Sequence, residues 1–354
     1  MKKLSALSMA VLVAAMQSPV ATAGTVTSDG ADLVIKTKGG LKVWTADKNY
    51  SIQLGGRIMY DYNRAELNGE ADEDQFDLRR GRLFVKGDVG ENWSYKSQFN
   101  VDGGGPEDLY IRDKGFEGKA VTVGRQKIPF GLEELTSSKD ISMLERSALT
   151  ERYVVGRADG VVVSGKKNDF TYAVAAYGED SESDPNLEDF GYAARVTYAP
   201  INDGDTVLHL GAAHRGMEGG IRVNGIEVAG TAGAFHAQAE FFDYEADDAD
   251  DADGYYVQLG YVLTGESRPY KGGKFKRIKP TGDCGAVELV FRYEDGDGDY
   301  GDIELGTDDA TSYGVGVNWY VTNAVKLGLN YTDGESETND DEGEEWRARF
   351  QLTF

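Results

Sequence analysis

Apolar and polar side chains take turns along most of this chain. Ile52, Leu54, Ile58, Tyr60 and Tyr62 alternate with Ser51, Gln53, Arg57 and Asp61. Val287, Leu289, Phe291 and Tyr293 alternate with Glu288 and Arg292, and Tyr313, Val315, Val317 and Trp319 with Asn318 and glycines. The clearest case closes the chain, with Trp346, Ala348, Phe350, Leu352 and Phe354 set against Arg347, Arg349, Gln351 and Thr353. A period of two places one set on each face of a β-strand, whereas an amphipathic helix repeats every three or four residues. About sixteen such segments occur, beginning near residues 51, 76, 93, 107, 119, 159, 169, 189, 205, 221, 233, 254, 285, 311, 325 and 345. Each is close to the ~9–11 residues with which a tilted strand crosses a bilayer. The expected fold is all-β, a transmembrane antiparallel β-barrel of about 16 strands.

An even strand number returns both termini to the periplasmic side. Asp88–Asn92, Lys167–Asn168, Pro200–Asp205 and Thr322–Ala324 then become short periplasmic turns. The acidic runs Glu245–Asp253, Asp295–Ala310 and Asp333–Glu344 become external loops facing lipopolysaccharide. Gly265–Cys284 breaks the rule as a long connection carrying Arg268, Lys271, Lys274, Lys276, Arg277 and Lys279, and it is expected to fold into the lumen. At the other end of the chain, Lys2 and Lys3, the weakly apolar Leu4–Met16 and Ala21-Thr22-Ala23 have the order of a cleaved signal peptide, residues 1–23. Residues 24–50 lead into the first strand and 51–354 make the barrel, which predicts a Gram-negative outer-membrane protein.

Composition narrows the function. The formal charge of −24 becomes −26 once Lys2 and Lys3 are removed, and such acidity excludes nucleic acid, whose phosphates demand a basic surface. Cys284 stands alone, so no disulfide framework is expected. His209, His214 and His236 lie in no recognisable pattern with a nucleophile. Asp295, Asp297 and Asp299 lack the glycine and glutamate of a calcium loop. Neither a cofactor nor a metal nor an enzymatic activity is expected.

The cations are more telling. Phe76-Asp77-Leu78-Arg79-Arg80-Gly81-Arg82 opens a strand with three guanidiniums in four residues. An arginine facing lipid near the bilayer midplane costs ~2–4 kcal/mol. With Leu83 and Val85 toward lipid, Arg80 and Arg82 point into the pore and Arg79 lies near the rim. Arg57, Arg112, Arg125, Lys127, Arg195, Arg292, Arg347 and Arg349 also fall on polar faces or strand ends. A cationic lumen inside an acidic protein attracts anions, and guanidinium suits oxyanions through its bidentate fork.

Several stretches resemble the phosphate-selective porin O and P family: DGADLVIKTKGGLKV within Gly24–Tyr62, FDLRRGRLFVKG, and VGRQKIPFGLEELTSSKDISMLERSALTERYVVGR. YVLTGESRPYKGGKF, GAVELVFRYEDGD and VGVNWYVTNAVKLGLNYTDGE follow in the same order. The resemblance implies a sixteen-stranded homotrimer in the lipid bilayer whose third loop folds inward. It further implies a constriction of Arg57, Arg79 and Arg80 from the wall, Asp108 nearby, and Ser137, Ser138 and Arg146 from that loop. Ser137 to Arg152 has a short helical look, with Ile141, Leu144 and Leu149 packing it to the wall. Two departures stand out. Glu133 and Glu134 replace a family lysine, with Lys127 and Lys139 as substitutes, and Gly216–Gly233 presents only Arg215 and Arg222 where the family has an arginine ladder. The reading is passive uptake of small anions, phosphate or polyphosphate foremost. The alternatives are a pore without phosphate selectivity and, in a different class, a barrel-embedded hydrolase.

Overall fold

The computed structural model describes residues 24–28, 31–37, 39–180, 188–247, 249–297, 309–336 and 341–354. The expected signal peptide lies outside the described residues. Nineteen antiparallel strands, β1–β19 in chain order, form one continuous sheet among them. The first three, β1 (Gly24–Ser28), β2 (Ala31–Lys36) and β3 (Leu41–Thr45), make a short meander. The other sixteen run from β4 (Tyr50–Leu67) to β19 (Asp341–Thr353) and close into a barrel, because β19 pairs back onto β4 from Thr353↔Arg57 to Gly343↔Leu67. Below that seam, β3 takes over the same edge of β4, pairing Leu41–Trp44 with Ser51–Leu54. The closing corner needs glycine. A Cβ on Gly55 would stand 2.6 Å from the carbonyl oxygen of Phe354, and one on Gly56 2.6 Å from that of Arg82.

Closure gives each of the sixteen strands a partner on both sides, so most of their backbone groups are hydrogen-bonded within the sheet, as a lipid surround requires. The side chains are then sorted inside out. Along β16 (Ala286–Gly296), Leu289 and Phe291 are 45% and 39% exposed, whereas Glu288 and Arg292 on either side of them are buried. The same inversion holds in β13 (Arg222–Ala232), where Ile226 and Val228 are exposed and Glu227 is buried. In water this arrangement would be unfavourable on both counts. A lipid surround, as the sequence pattern leads one to expect, would resolve it.

Two strand ends differ from expectation. The second barrel strand, β5 (Glu70–Val89), begins six residues before the expected position 76, and β19 begins at 341 and not near 345. Likewise β14 (Phe235–Ala246) and β15 (Ala249–Val262) continue into the acidic run expected to be a loop. Hairpin pairing runs on past the apolar stretch, because beyond the bilayer neither face needs apolar side chains.

Two connections fold inward. The first, residues 128–156, joins β8 (Lys119–Lys127) to β9 (Arg157–Lys167) and carries two short helices, α1 (Leu132–Leu135) and α2 (Ala148–Tyr153). Phe130, Leu149 and Tyr153 pack against Val223, Phe242 and Tyr256 of the wall, each fully buried large side chain stabilising by roughly 1.5–3 kcal/mol. Helix covers only the end of the stretch 137–152. Ser147 caps it, accepting from the Thr150 N–H at 3.0 Å. The residues before it stay irregular because their carbonyls bond to wall side chains: Lys326 reaches Ile141 O, Asn318 reaches Ser142 O and Arg349 reaches Leu144 O.

The second is the basic connection between β15 and β16. It turns at Gly272–Gly273, both with positive φ (62° and 72°), as a two-residue hairpin requires. Tyr270 and Phe275 bridge across that turn, and Phe275 and Ile278 are buried in the lumen. The expectation that this segment enters the barrel matches what the structure shows.

Phe291 offers a direct test of the sorting. Substituting Arg there should lower unfolding free energy by ~2–4 kcal/mol in urea titrations of protein folded into lipid vesicles. A loss close to zero would mean that this face does not meet lipid.

Candidate functional site

A cavity of about 1230 Å³ runs from the first inward loop to the end of the barrel where the chain terminates. The two-residue period builds its wall. Arg82, Phe84 and Lys86 come from β5, and Lys96 and Gln98 from β6 (Trp93–Asn100). Asp108, Tyr110 and Arg112 come from β7 (Pro106–Asp113). Ser137, Ser138, Lys139 and Arg146 of the inward loop bound it on one side, while Lys274, Lys276 and Lys279 project from the second inward segment. Among the described residues, twelve Arg and Lys side chains line the cavity against one acidic side chain, Asp108.

About half of these cations are neutralised. Asp108 accepts from Lys96 and, at 2.8 Å, from Arg157. Glu107 pairs with Arg82 and, at 2.7 Å, with Arg157. Glu134 holds Lys127 at 2.6 Å and Arg146 at 2.9 Å, and Lys139 lies 3.5 Å from Asp140. Arg57, Lys86, Arg112, Lys274, Lys276 and Lys279 make no ion pair with a described residue. Arg57 Nη1 instead donates to Ser138 Oγ at 2.8 Å and to Ser137 Oγ at 3.3 Å. A guanidinium and two hydroxyls thus meet at the edge of the cavity. Both hydroxyls keep a hydrogen to donate to an oxyanion.

The residues expected from the sequence divide by location. Arg57, Arg82, Asp108, Arg112, Lys127, Ser137, Ser138, Lys139 and Arg146 border the cavity. Arg79 and Arg80 do not. They lie on the far side of the loop, both bound to Glu145: Arg80 at 2.7 and 2.8 Å, Arg79 at 2.9 and 3.1 Å. Strict alternation would send these neighbours to opposite faces, but the pairing slips from Met59↔Arg80 to Tyr60↔Leu78 and leaves Arg79 as the extra residue of a bulge. Arg125 follows Val123 on the opposite face from Thr122 and Gln126, and pairs with the exposed Asp159 at 3.0 Å. Arg215 is buried and donates to the Tyr153 carbonyl at 2.9 Å, bracing α2. Arg222 pairs with Glu245 and Asp247 at the rim. Arg222 opens strand β13, close to the expected strand start near 221, and Arg215 lies in β12 (Thr206–Met217), so these two arginines do not form a ladder.

Glu133 and Glu134 are equally far from free luminal charges. Glu133 is buried beneath the loop, accepting from the Ser147 N–H at 2.9 Å and the Thr150 hydroxyl at 3.2 Å. Glu134 is held by its two cations. The sequence gives little sign of Glu107, Glu145 and Arg157 as partners, since each pairs across strands or from loop to wall. Lys86 was findable by counting in twos from Arg82.

The family described as phosphate-selective porin O and P matches residues 52–217 and 214–354. Porin O of Pseudomonas aeruginosa is 33% identical, over 95% of this chain and 96% of that protein. Among solved structures, an anion-selective porin from Comamonas acidovorans superposes with a TM-score of 0.58 at 14% identity, covering 86% of this chain and 100% of that one. An in-vitro folded outer membrane protein of Vibrio cholerae, OmpT in a trimer form, gives 0.58 at 12% identity, covering 86% and 99%. At these identities the two structures speak for the fold alone.

Lys274 supplies a pH test. Burial, then Lys276 and Arg195, push its ammonium down to about 8. It is charged below that pH and neutral above it, so cavity charge falls as pH rises. Anion preference, read as the reversal potential across a KCl gradient, should drop between pH 7 and pH 9. K274R, which does not titrate there, should retain the larger part of it.

Proposed function

The chain belongs to the phosphate-selective porin O and P family, and from that premise we propose that it conducts oxyanions, phosphate or polyphosphate foremost, past a constriction formed by Arg57, Ser137 and Ser138. It is an outer-membrane porin, a channel and not an enzyme. The observation that carries the oxyanion reading is the set of six cavity cations without an ion pair, beginning at the Arg57–serine cluster. An anion entering a narrow pore gives up water. Charge-assisted bonds from a guanidinium and donation from two hydroxyls replace it at short range. The lysines beyond lower the potential for the same ion along the rest of its path.

The remaining parts of the proposal concern the surroundings of the pore. Lipid covers the exposed apolar belt, and the acidic outer rim faces lipopolysaccharide. Residues 1–23 are a signal peptide, β1–β3 lie on the periplasmic side, and three copies of the chain assemble. The trimeric form of the Vibrio protein supports that last point through the shared fold. A pore without phosphate preference is favoured by one specific observation, the occupation of Arg79 and Arg80 by Glu145.

Phosphate block of chloride current in planar bilayers separates the two. On the oxyanion reading, R57A raises the half-blocking phosphate concentration about tenfold, the order of one hydrogen bond to a charged group. R125A, whose side chain faces away from the cavity, leaves it unchanged. Chloride current insensitive to phosphate in the parent channel would sink the phosphate preference and leave the general pore.

A further inference from the structure

On the outer side of the inward loop, one carboxylate collects the charge of two strands. Glu145 accepts both nitrogens of an Arg79 fork and both of an Arg80 fork, all from β5. Arg349 of β19 reaches the same carboxylate, and Arg347 lies 3.8 Å away. A carboxylate has about four lone-pair directions, so five such bonds saturate it. Parallel bidentate forks on a planar oxyanion are the geometry by which guanidinium selects carboxylate and phosphate. The carboxylate of Glu145 therefore stands where a permeating oxyanion would be held.

Removing it would leave charge behind. Arg79 and Arg80 have no other ion pair among the described residues, while Arg349 retains Asp61 at 2.5 Å and Arg347 retains Glu345. The place is also reachable. Arg80 and Arg349 are buried, but the side chains of Arg79 and Glu145 are 38% and 23% exposed. In the strand register, Arg57 pairs with Arg82, Met59 with Arg80, and Asp61 with Arg349. The cluster thus lies just outward of Arg57, on the path toward it.

The carboxylate is one of many groups that position the loop. Around Glu145, backbone groups share that load: Arg292 donates to the carbonyls of Glu145 and Arg146 at 3.0 and 3.1 Å. Asn330 accepts from the Leu144 N–H at 3.3 Å, and Ser142 bonds Glu288 at 2.6 Å. Met143 and Leu144 are buried beside it. A carboxylate that shares the anchoring with so many other groups, yet is saturated by cations at the mouth of a constriction, can serve another role.

We infer that Glu145 is a tethered counter-anion, which fills from within the chain an oxyanion site made by Arg79, Arg80 and Arg349 and so keeps the outer face of the constriction from binding its cargo. The inference rests on the oxyanion reading above and adds its specificity-determining residue. The site takes inorganic phosphate or another small oxyanion once the carboxylate is neutral.

The test is chloride current across planar bilayers, titrated with inorganic phosphate, together with the reversal potential in a KCl gradient. E145Q keeps the shape of the side chain and removes its charge. It should lower the half-blocking phosphate concentration about tenfold and raise anion preference, while E145D behaves as the parent. In the parent background R79A should shift the block little, since its site is already filled; in the E145Q background it should cancel the gain. An anion-selective parent whose E145Q block stays within about twofold overturns this inference alone. So does a parent R79A that weakens block as strongly as R57A, a result available even if E145Q does not fold. A parent that prefers potassium over chloride overturns the oxyanion reading and this inference with it.

Discussion

Everything in this structure follows from pairing β19 back onto β4. A closed ring of strands satisfies its backbone in lipid without help, and a period of two then gives each side chain one of two solvents. Most of the charge in the wall therefore goes inward, with Arg125 and Asp159 paired on the outer face as an exception. The lumen consequently receives far more ionic groups than transport needs, and they lie at low local dielectric, where an unpaired charge is expensive. The fold solves this by pairing most of them. Function belongs to the remainder.

The two inward segments take part in that solution. The first loop contributes Glu133, Glu134, Glu145 and a row of carbonyl oxygens, and these absorb Arg292, Lys127, Arg146, Lys326, Arg268 and Arg349. The second carries Arg268 inward against Gln238 at 3.0 Å and Gly273 against Arg195 at 2.9 Å. Its hairpin tip leaves Lys274 facing the cavity. An arginine count read from sequence therefore overstates the cations available to cargo. Many of them tie the loop to the wall.

What the sequence made legible was whatever repeats every two residues. Strand positions, the sign of the lumen and the inward path of the basic connection all follow from local pattern and charge. Three things were not local. The bulge at Arg79 breaks the period without any residue that announces it, so Arg79 and Arg80 face the same way. Arg125 carries the charge expected of a lumen residue but falls in phase with Val123. Glu107, Asp61 and Glu145 acquire their partners from strands distant in sequence, and only the closed barrel decides which arginines they silence. The same holds for Glu133, whose charge suggests a weakened pore but whose burial under the loop removes it from the path.

The distribution that results is asymmetric along the pore. Toward the outside, Arg222 is matched by Glu245 and Asp247, and the cluster of Arg79, Arg80, Arg347 and Arg349 is matched by Glu145, Asp61 and Glu345. Inward of the loop, six cations have no ionic partner among the described residues, and they are spread along the cavity from Arg57 to Lys279. Conduction requires that an ion be held well enough to enter and weakly enough to leave, and several adjacent sites do this better than one deep site. Six separated cations, four of them lysines without a guanidinium fork, meet that requirement. On the proposed reading, a neutral mouth followed by a cavity of separated cations lets the pore favour anions without holding them tightly.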